Sequence, residues 1–273
     1  MLASAALSAS HRRPPSPGQL AAALEAGAIR TVFQPKVSLA TGALIGVEAL
    51  ARWTDAELGC VGPDSFIPVA EDSGLIGPLT LCVLRSALQA CAQLRRSHPD
   101  ATVAVNISPL LLDNPDLPDR IAAVLDEAAM PPSVLVAEIT EGRPVANPRQ
   151  AATVLATLQV RGVACALDDF GTGHADLKAL LRLPFTELKI DRSFIGRAAA
   201  TPQAWHAVRA TILLARELGL RVVAEGIETV QAERWLRDEG CDAGQGYRYG
   251  RPMPSCELLA RWAAPATALA QPI

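Results

Sequence analysis

The feature that most constrains the fold of this chain is a regular alternation of short apolar runs with longer amphipathic stretches. The amphipathic stretches have the 3.6-residue spacing of helices, and they include 80–96, 117–130, 149–162 and 201–218. Several apolar runs are continuous, which is typical of parallel strands covered by helices on both faces. The strand candidates are TVFQPKVSL, LIGVEAL, TVAVNIS, VLVAEIT, VACALDD, TELKID, RVVAEG and AGQGY. About eight strands with intervening helices over roughly 250 residues predict an α/β fold, a TIM-like (β/α)8 barrel rather than an open doubly wound sheet.

Only a turn signal, Thr41-Gly42, separates the first two strand candidates. Two strands joined by so short a connection form a β-hairpin and therefore run antiparallel. The barrel is thus predicted to contain one antiparallel strand, supplied by this N-terminal hairpin.

The rest of the sequence predicts one domain between two short tails. Residues 1–17 are small, polar and proline-containing, and they lack the basic start and the long apolar core of an export signal. We interpret them as a flexible tail. We expect the folded domain to span residues 18–262 and a second tail to span 263–273. No internal repeat and no low-complexity linker divides the domain.

Charge, hydropathy and cysteine content exclude several classes of partner. The net charge is −3 and no run of Lys and Arg occurs, which argues against a nucleic-acid polymer as ligand. No segment approaches the roughly 18 consecutive apolar residues that cross a membrane. The six cysteines are scattered without a C-x-x-C pair, which predicts reduced, mostly buried thiols and a cytoplasmic protein.

Polar residues stand where seven of the strand candidates end. A single polar residue there is explained by a strand that meets water. Seven in succession favour a function, because the carboxyl ends of barrel strands converge on the active site. These residues are Glu48, Asn106, Glu138, Asp168 with Asp169, Lys189, Glu225 and Gln245.

The residue types at these positions point to a divalent metal. Carboxylates that converge on one mouth repel one another unless a cation lies among them. Oxygen-only ligands favour Mg²⁺ or Mn²⁺, and the adjacent pair Asp168-Asp169 suits two ions that share one ligand. Ca²⁺ prefers more ligands at longer distances, so we expect it to inhibit. The four histidines have no metal-ligand spacing with a carboxylate, which argues against a zinc or iron hydrolase: His11, His98, His174 and His206.

Other catalytic motifs are missing from the sequence. The segment GTGHAD lacks the third glycine of a dinucleotide fingerprint, and no G-x-x-x-x-G-K-[ST] loop occurs. No G-x-S-x-G elbow supports a serine nucleophile. Gly171 and Gly173 are explained as hinges beside the two aspartates.

Several segments of the sequence resemble those of a known family, the EAL-domain cyclic di-GMP phosphodiesterases. The segment GVEALARW (46–53) resembles the family signature, with Glu48-Ala49-Leu50 as its naming triplet. The resemblance covers about residues 18 to 262. Further matching segments follow in order: FQPKV, FIPVAEDSGLIG, VNIS, EITE, DDFGTG, LKIDRSFI, VVAEGIET and GCDAGQGYRYGRPMP.

The resemblance implies a role for each matching residue. Glu48, Asn106, Glu138 and Asp168 resemble the ligands of a first metal ion. Asp168 would bridge to a second ion, which Asp169 would also hold, and Glu225 resembles either a ligand of that ion or a partner of it through water. Lys189 and Gln245 resemble the residues that position the attacking water, Leu50 and Arg52 resemble substrate contacts, and Glu141 resembles the glutamate that fixes the loop after Asp169. The implied reaction is hydrolysis of cyclic di-GMP to linear pGpG with two Mg²⁺ or Mn²⁺ ions.

The chain departs from the family pattern away from the implied metal and water positions. His174-Ala175-Asp176 replaces the usual aromatic-Ser-Ser, Gly142 follows EITE, and Arg248 and Gly250 vary the segment after Gln245. The first departure lies where the family couples the active-site loop to dimerisation, so it bears on regulation. The resemblance implies a homodimer, and we expect regulation by a partner protein or by a sensor domain outside this sequence.

Two other functions stay open at this point. The first is a catalytically inactive receptor that binds cyclic di-GMP and acts through a protein partner. The second is an aldolase in which Lys189 forms a Schiff base. The neighbouring carboxylates argue against the aldolase, because they would hold Lys189 as a charged ammonium.

Overall fold

Nine strands and ten α-helices make up the described part of the computed structural model, which is residues 14–140, 145–170, 177–198 and 201–263. The strands are β1 (Ile29–Ser38), β2 (Leu44–Asp55), β3 (Gly59–Val61), β4 (Thr102–Ile107), β5 (Leu135–Thr140), β6 (Ala164–Phe170), β7 (Glu187–Ile190), β8 (Arg221–Ala224) and β9 (Ala243–Gln245). The helices are α1 (Pro17–Glu25), α2 (Pro63–Asp72), α3 (Ile76–Leu94), α4 (Leu117–Glu127), α5 (Pro148–Val160), α6 (Leu177–Arg182), α7 (Arg192–Ala198), α8 (Pro202–Glu217), α9 (Val230–Asp238) and α10 (Ser255–Arg261).

Eight of the strands close into a barrel with one antiparallel member. Their order is β1-β9-β8-β7-β6-β5-β4-β2, and β1 also pairs with β2 to complete the circle. β1 runs antiparallel to both of its neighbours, whereas the other barrel strands are parallel to one another. In the turn between β1 and β2, Gly42 adopts a φ of 71°, the left-handed conformation that favours glycine. The predicted TIM-like barrel and its antiparallel hairpin strand are confirmed.

The strand β2 extends beyond the barrel. Its last residues, Trp53 to Asp55, pair with β3 in a short antiparallel extension. Trp53 anchors this extension, because its indole is buried edge-to-face against Phe66 of α2, with ring centroids 6.0 Å apart. Glu48 therefore lies inside β2 and not near its end, so the prediction of a strand end at this position is wrong.

The interior of the barrel changes from apolar to polar along the strands. Every second residue of a barrel strand points inward. Ala104, Val136 and Ala166 form a small buried apolar cluster, separate from the main core between the barrel and the helices. The residues two positions further along the same strands are Asn106, Glu138 and Asp168. On these three strands, the candidate site therefore has apolar residues directly beneath it.

The first helix begins where the predicted N-terminal tail ends. Ser16 caps α1 in a reciprocal pair with Gln19, and Leu20 is fully buried. Most of the predicted tails lies outside the described residues. Within the described part of the chain, no helix is both long enough and apolar enough to cross a membrane.

All six cysteines are free thiols. Cys91, Cys165 and Cys241 are buried as predicted, whereas Cys60 and Cys256 are exposed. The thiols were predicted to be mostly buried: three of the six are, Cys82 is partly buried, and the two exposed ones lie on the short β3 and on α10.

Candidate active site

The candidate site lies at the mouth of the barrel, where the parallel strands end. A cleft of about 840 Å³ opens there. Its walls include most of the sequence-predicted site residues: Glu48, Leu50, Arg52, Asp168, Asp169, Glu225 and Gln245. Glu138 and Lys189 lie deeper and are completely buried.

Five carboxylates, which we call the acidic cluster, converge at this point. They are Glu48, Glu138, Asp168, Asp169 and Glu225. They form two groups, and within each group one oxygen per residue lies within 4.8 Å of the others. The first group is Glu48, Glu138 and Asp168, and the second is Asp168, Asp169 and Glu225. Asp168 belongs to both groups, which is the arrangement that a shared ligand requires.

A backbone irregularity places both adjacent aspartates at the site. In a regular strand, neighbouring side chains point to opposite faces. Here the register of β6 against β7 shifts between Leu167 and Phe170, and Asp169 adopts a φ of 60°. The Asp169 N–H donates a hydrogen bond to Asp168 Oδ1 at 2.9 Å, which stabilises the distorted backbone. Such strained non-glycine residues cluster at functional sites.

Lys189 lies at the centre of the acidic cluster. Its ammonium Nζ is 2.6 Å from Glu225 Oε1, 3.0 Å from Asp168 Oδ1 and 3.0 Å from Glu138 Oε2. Burial favours the neutral amine, but the surrounding carboxylates outweigh it and raise the Lys189 pKa well above its ordinary value. The carboxylates therefore hold Lys189 as an ammonium, which argues against the Schiff-base aldolase.

Glu48 is held in one orientation by two amide donors. Asn106 Nδ2 donates to Glu48 Oε1 at 2.9 Å, and Gln245 Nε2 donates to Oε2 at 2.6 Å. Burial alone would raise the Glu48 pKa, but Lys189 and the two amides outweigh it and lower this pKa. An asparagine ligates metals through its oxygen, so the donation from Nδ2 is compatible with the predicted ligand role of Asn106.

Gln34, which the sequence analysis did not assign, fixes the orientation of Gln245. Its Nε2 donates to the Gly250 carbonyl at 3.1 Å, and its Oε1 accepts from Gln245 Nε2 at 3.0 Å. Because a carbonyl can only accept, this chain of hydrogen bonds defines which end of each amide is the donor. Gln245 Oε1 is left buried and without a hydrogen-bond partner in the described part of the chain. It is therefore an acceptor available to a donor in the site.

A second unassigned residue, Lys36, lies beneath the acidic cluster. Its Nζ is 3.0 Å from Glu138 Oε1 and 3.1 Å from Glu187 Oε1, and all three side chains are buried. Burial favours a neutral lysine, but Glu187 and Glu138 outweigh it and raise the Lys36 pKa. A lysine between apolar neighbours at an inward strand position, within FQPKV, was the sequence signal for this residue.

The site residues and their order along the chain match a known family. The sequence model of the EAL domain family covers residues 18–252. The chain belongs to the EAL domain family. This agrees with the barrel topology and with the acidic cluster described above.

Two curated relatives and one solved structure illustrate the match. The chain is 40% identical over 242 residues to the bifunctional diguanylate cyclase/cyclic di-GMP phosphodiesterase MucR of Pseudomonas aeruginosa. This alignment covers 87% of this chain and 35% of MucR. It is 37% identical over 253 residues to the probable cyclic di-GMP phosphodiesterase PdeB of Escherichia coli. This alignment covers 92% of this chain and 48% of PdeB. The chain thus spans about a third to a half of the length of these relatives.

The solved structure is the MucR phosphodiesterase in complex with cyclic di-GMP. It superposes with a TM-score of 0.81 at 39% identity and covers 89% of this chain and 98% of the solved chain. The fold of this EAL domain is therefore shared with a relative whose structure contains that dinucleotide.

The remaining predicted residues of the EAL domain lie beside the cleft or outside the described residues. Leu50 and Arg52 line the cleft, and Arg52 Nη1 donates to the Ala51 carbonyl at 2.7 Å. Glu141 lies outside the described residues, so its role stays a prediction. Tyr247, which the sequence analysis did not single out as a site residue, is partly exposed in the cleft wall with the Arg251 guanidinium 4.0 Å from its ring centroid.

Among the residues that the structure describes, the acidic cluster carries more negative charge than the two buried lysines balance. Lys189 is one ammonium among five carboxylates, and Lys36 is already paired with Glu187 as well as Glu138. Burial is the main cause that raises the Glu138 pKa to about 7 and the Asp169 pKa to about 6, and neighbouring carboxylates add to both shifts. Without a metal, these two carboxyls therefore take up protons near neutral pH. The site fits bound cations that would replace those protons.

Metal binding is accordingly expected to release protons, and the metal affinity is expected to increase as the pH rises. A carboxyl with a raised pKa is protonated below that pKa, and a metal must displace the proton in order to bind. Between pH 8 and pH 6 we expect the affinity for Mg²⁺ to fall, and at pH 6 we expect release of about one proton or more per site. Isothermal titration calorimetry in two buffers with different ionisation enthalpies measures this number. Equal affinity at both pH values, with no proton release, would contradict the shifted pKa values of Glu138 and Asp169.

Proposed function

We propose that this EAL domain is a metal-dependent phosphodiesterase that hydrolyses cyclic di-GMP to linear pGpG. The observation that carries the proposal is the pair of carboxylate groups that share Asp168, placed beside a cleft of about 840 Å³. A cleft of that size suits a ligand of several hundred cubic ångströms. The names of MucR and PdeB, both of which include cyclic di-GMP phosphodiesterase, support the choice of substrate.

The donor set fits two hard divalent ions, Mg²⁺ or Mn²⁺. Glu48, Asn106, Glu138 and Asp168 would hold one ion, and Asp168, Asp169 and Glu225 would hold the other. Carboxylate and amide oxygens are the ligands that these ions prefer, and the excess negative charge of the acidic cluster requires cations. When bound, two such ions neutralise the charge of a phosphate and lower the pKa of water.

The protein side chains of the site would orient the attacking water. Lys189, held as an ammonium by the carboxylates around it, would donate a hydrogen bond to the water and so position it. Gln245 Oε1 is an acceptor without a partner in the described part of the chain, so it can receive one of the water hydrogens. Lys189 Nζ and Gln245 Nε2 lie 3.7 and 2.6 Å from the same oxygen, Glu48 Oε2, so both residues can act on one water molecule. The water oxygen would bond to phosphorus while the P–O3′ bond breaks. The water would give up one proton and the leaving 3′ oxygen would take one up, which leaves pGpG with a free 3′ hydroxyl.

The decisive experiment incubates the metal-free chain with cyclic di-GMP, with and without Mg²⁺, and separates the products by chromatography. We expect pGpG only when the metal is present. Tight binding of cyclic di-GMP without pGpG release under either condition would instead indicate the catalytically inactive receptor.

Replacement of Arg52 by alanine is expected to weaken substrate binding more than turnover. A guanidinium that contacts a phosphate contributes a charge-assisted hydrogen bond of about 1.5–3 kcal/mol. We therefore expect KM to rise by roughly ten-fold or more, with a smaller change in kcat. Steady-state kinetics of pGpG release measure both constants.

Arg85→Ala provides a matched control for this variant. Arg85 is an exposed residue of α3 that pairs with Glu127 at 3.2 Å, away from the cleft. Its loss should leave KM unchanged, because exposed ion pairs contribute little. An unchanged KM in Arg52→Ala would show that Arg52 does not contact the phosphate.

A further inference from the structure

Lys36 is a buried charge for which the proposed chemistry has no use. It lies on β1, where the antiparallel direction brings its side chain into the barrel below the cleft, and it is 3% exposed. Its carboxylate neighbours come from two different strands, Glu138 on β5 and Glu187 on β7. Glu187 is two residues before Lys189 and therefore points inward on the same face, one layer lower.

The two oxygens of Glu138 are divided between two lysines. Oε1 accepts a hydrogen bond from Lys36 at 3.0 Å, and Oε2 lies 3.0 Å from Lys189. Lys189 also contacts three other members of the acidic cluster, so it belongs to the upper layer. Lys36 is held from its other side by Glu187 at 3.1 Å. Glu138 Oε1 is thus committed to the lower layer, and only Oε2 faces the rest of the acidic cluster.

We propose that Lys36 is a positioning residue that restricts Glu138 to a single metal-facing oxygen and thereby favours Mg²⁺ or Mn²⁺ over Ca²⁺. The inference rests on the proposed function in one respect, that Glu138 is a metal ligand. Mg²⁺ demands compact octahedral coordination, whereas Ca²⁺ readily takes both oxygens of one carboxylate. The hydrogen bond from Lys36 to Glu138 Oε1 keeps this second oxygen from binding the metal. Hydrogen-bond partners of metal ligands fix the orientation of those ligands in the same way.

The simpler alternative is that Lys36 only neutralises Glu187 and has no effect on the metal. A double variant, Lys36→Met with Glu187→Leu, distinguishes the two roles. It removes one positive and one negative charge, so the net charge beneath the acidic cluster stays the same, and it replaces both side chains with apolar ones of similar size. Any change in metal preference then comes from the lost hydrogen bond to Glu138 and not from net charge.

The test measures metal binding to the metal-free chain without substrate. Mn²⁺ affinity is obtained from the electron paramagnetic resonance signal of free Mn²⁺, and Ca²⁺ affinity is obtained from calorimetry. We expect the double variant to lose about 10- to 100-fold in Mn²⁺ affinity. Its Ca²⁺ affinity should fall much less or rise, so that the ratio of the two affinities changes by about ten-fold or more. Unchanged affinities, or an equal loss for both ions, would overturn the proposal.

Two further measurements keep the result interpretable. Thermal unfolding of the metal-free variants shows whether the fold is retained. If the apolar pair does not fold, Lys36→Met with Glu187→Gln removes the same two charges and still leaves no hydrogen-bond donor at position 36, and the same change in ratio is expected. Hydrolysis of cyclic di-GMP by the unmodified chain is assayed separately, so a chain that binds Mn²⁺ with the expected preference but releases no pGpG would refute the proposed function alone. A chain that binds neither ion would overturn both.

Discussion

Replacement of Asp168 by asparagine is expected to abolish the hydrolysis of cyclic di-GMP. Asp168 is the only residue that belongs to both metal-binding groups found among the described residues, and it also contacts Lys189 at 3.0 Å. Asparagine keeps the size of the side chain but removes the charge that would be shared between two cations. Substrate binding should survive in part, through Arg52 and the apolar walls of the cleft.

The measurement is the rate of pGpG release at saturating Mg²⁺, beside the Kd for cyclic di-GMP. Asp126→Asn is a suitable control, because Asp126 is an exposed residue of α4 outside the cleft. If Asp168→Asn kept more than about a tenth of the original rate, the loss of transition-state stabilisation would be less than ~1.4 kcal/mol. The assignment of Asp168 as a shared ligand would then be wrong.

The barrel could be predicted from sequence because its strands are apolar, short and regularly spaced. Each of the eight strand candidates corresponds to a barrel strand, and the four helical stretches correspond to α3, α4, α5 and α8. The shorter elements were missed. The strand β3 has only three residues, and α2 contains Pro68 inside the helix, so neither has a periodic pattern long enough to detect. Tertiary contacts, such as Phe66 of α2 against Trp53, stabilise them instead.

The candidate site was predictable where its residues come from the parallel strands. Every predicted ligand within the described residues lies at the acidic cluster or, like Asn106, is hydrogen-bonded to it. That two adjacent aspartates face the same cleft could not be deduced, because the bulge in β6 depends on its pairing with β7. Gln34 and Lys36 were not predicted because neither stands where a strand ends. On an antiparallel strand, the residues that reach the site lie inside the strand.

The buried pair beneath the site, Lys36 and Glu187, was therefore not predicted, because the pattern used was that of parallel strand ends. Lys36 and Glu187 occupy inward positions where a barrel normally carries apolar residues, and each is unremarkable when considered alone. Only the pairing of β1 with β2 and β9 shows that Lys36 enters the barrel below Glu138. A charged residue at an inward strand position is the sequence signal that would have identified both.

Removal of the metal is expected to abolish activity, and Mg²⁺ or Mn²⁺ is expected to restore it. Together with Asn106, the acidic cluster offers carboxylate and amide oxygens, which these ions prefer, and within the described ranges it includes neither thiolate nor imidazole for zinc. Ca²⁺ should bind but support little turnover, because it prefers more ligands at longer distances than a compact site provides. The test is a chelated and dialysed sample of the chain, assayed for pGpG with each ion separately at equal free concentration. Full activity in the presence of chelator would contradict the metal-dependent reaction itself, and equal activity with Ca²⁺ and Mg²⁺ would contradict the compact site built around Asp168.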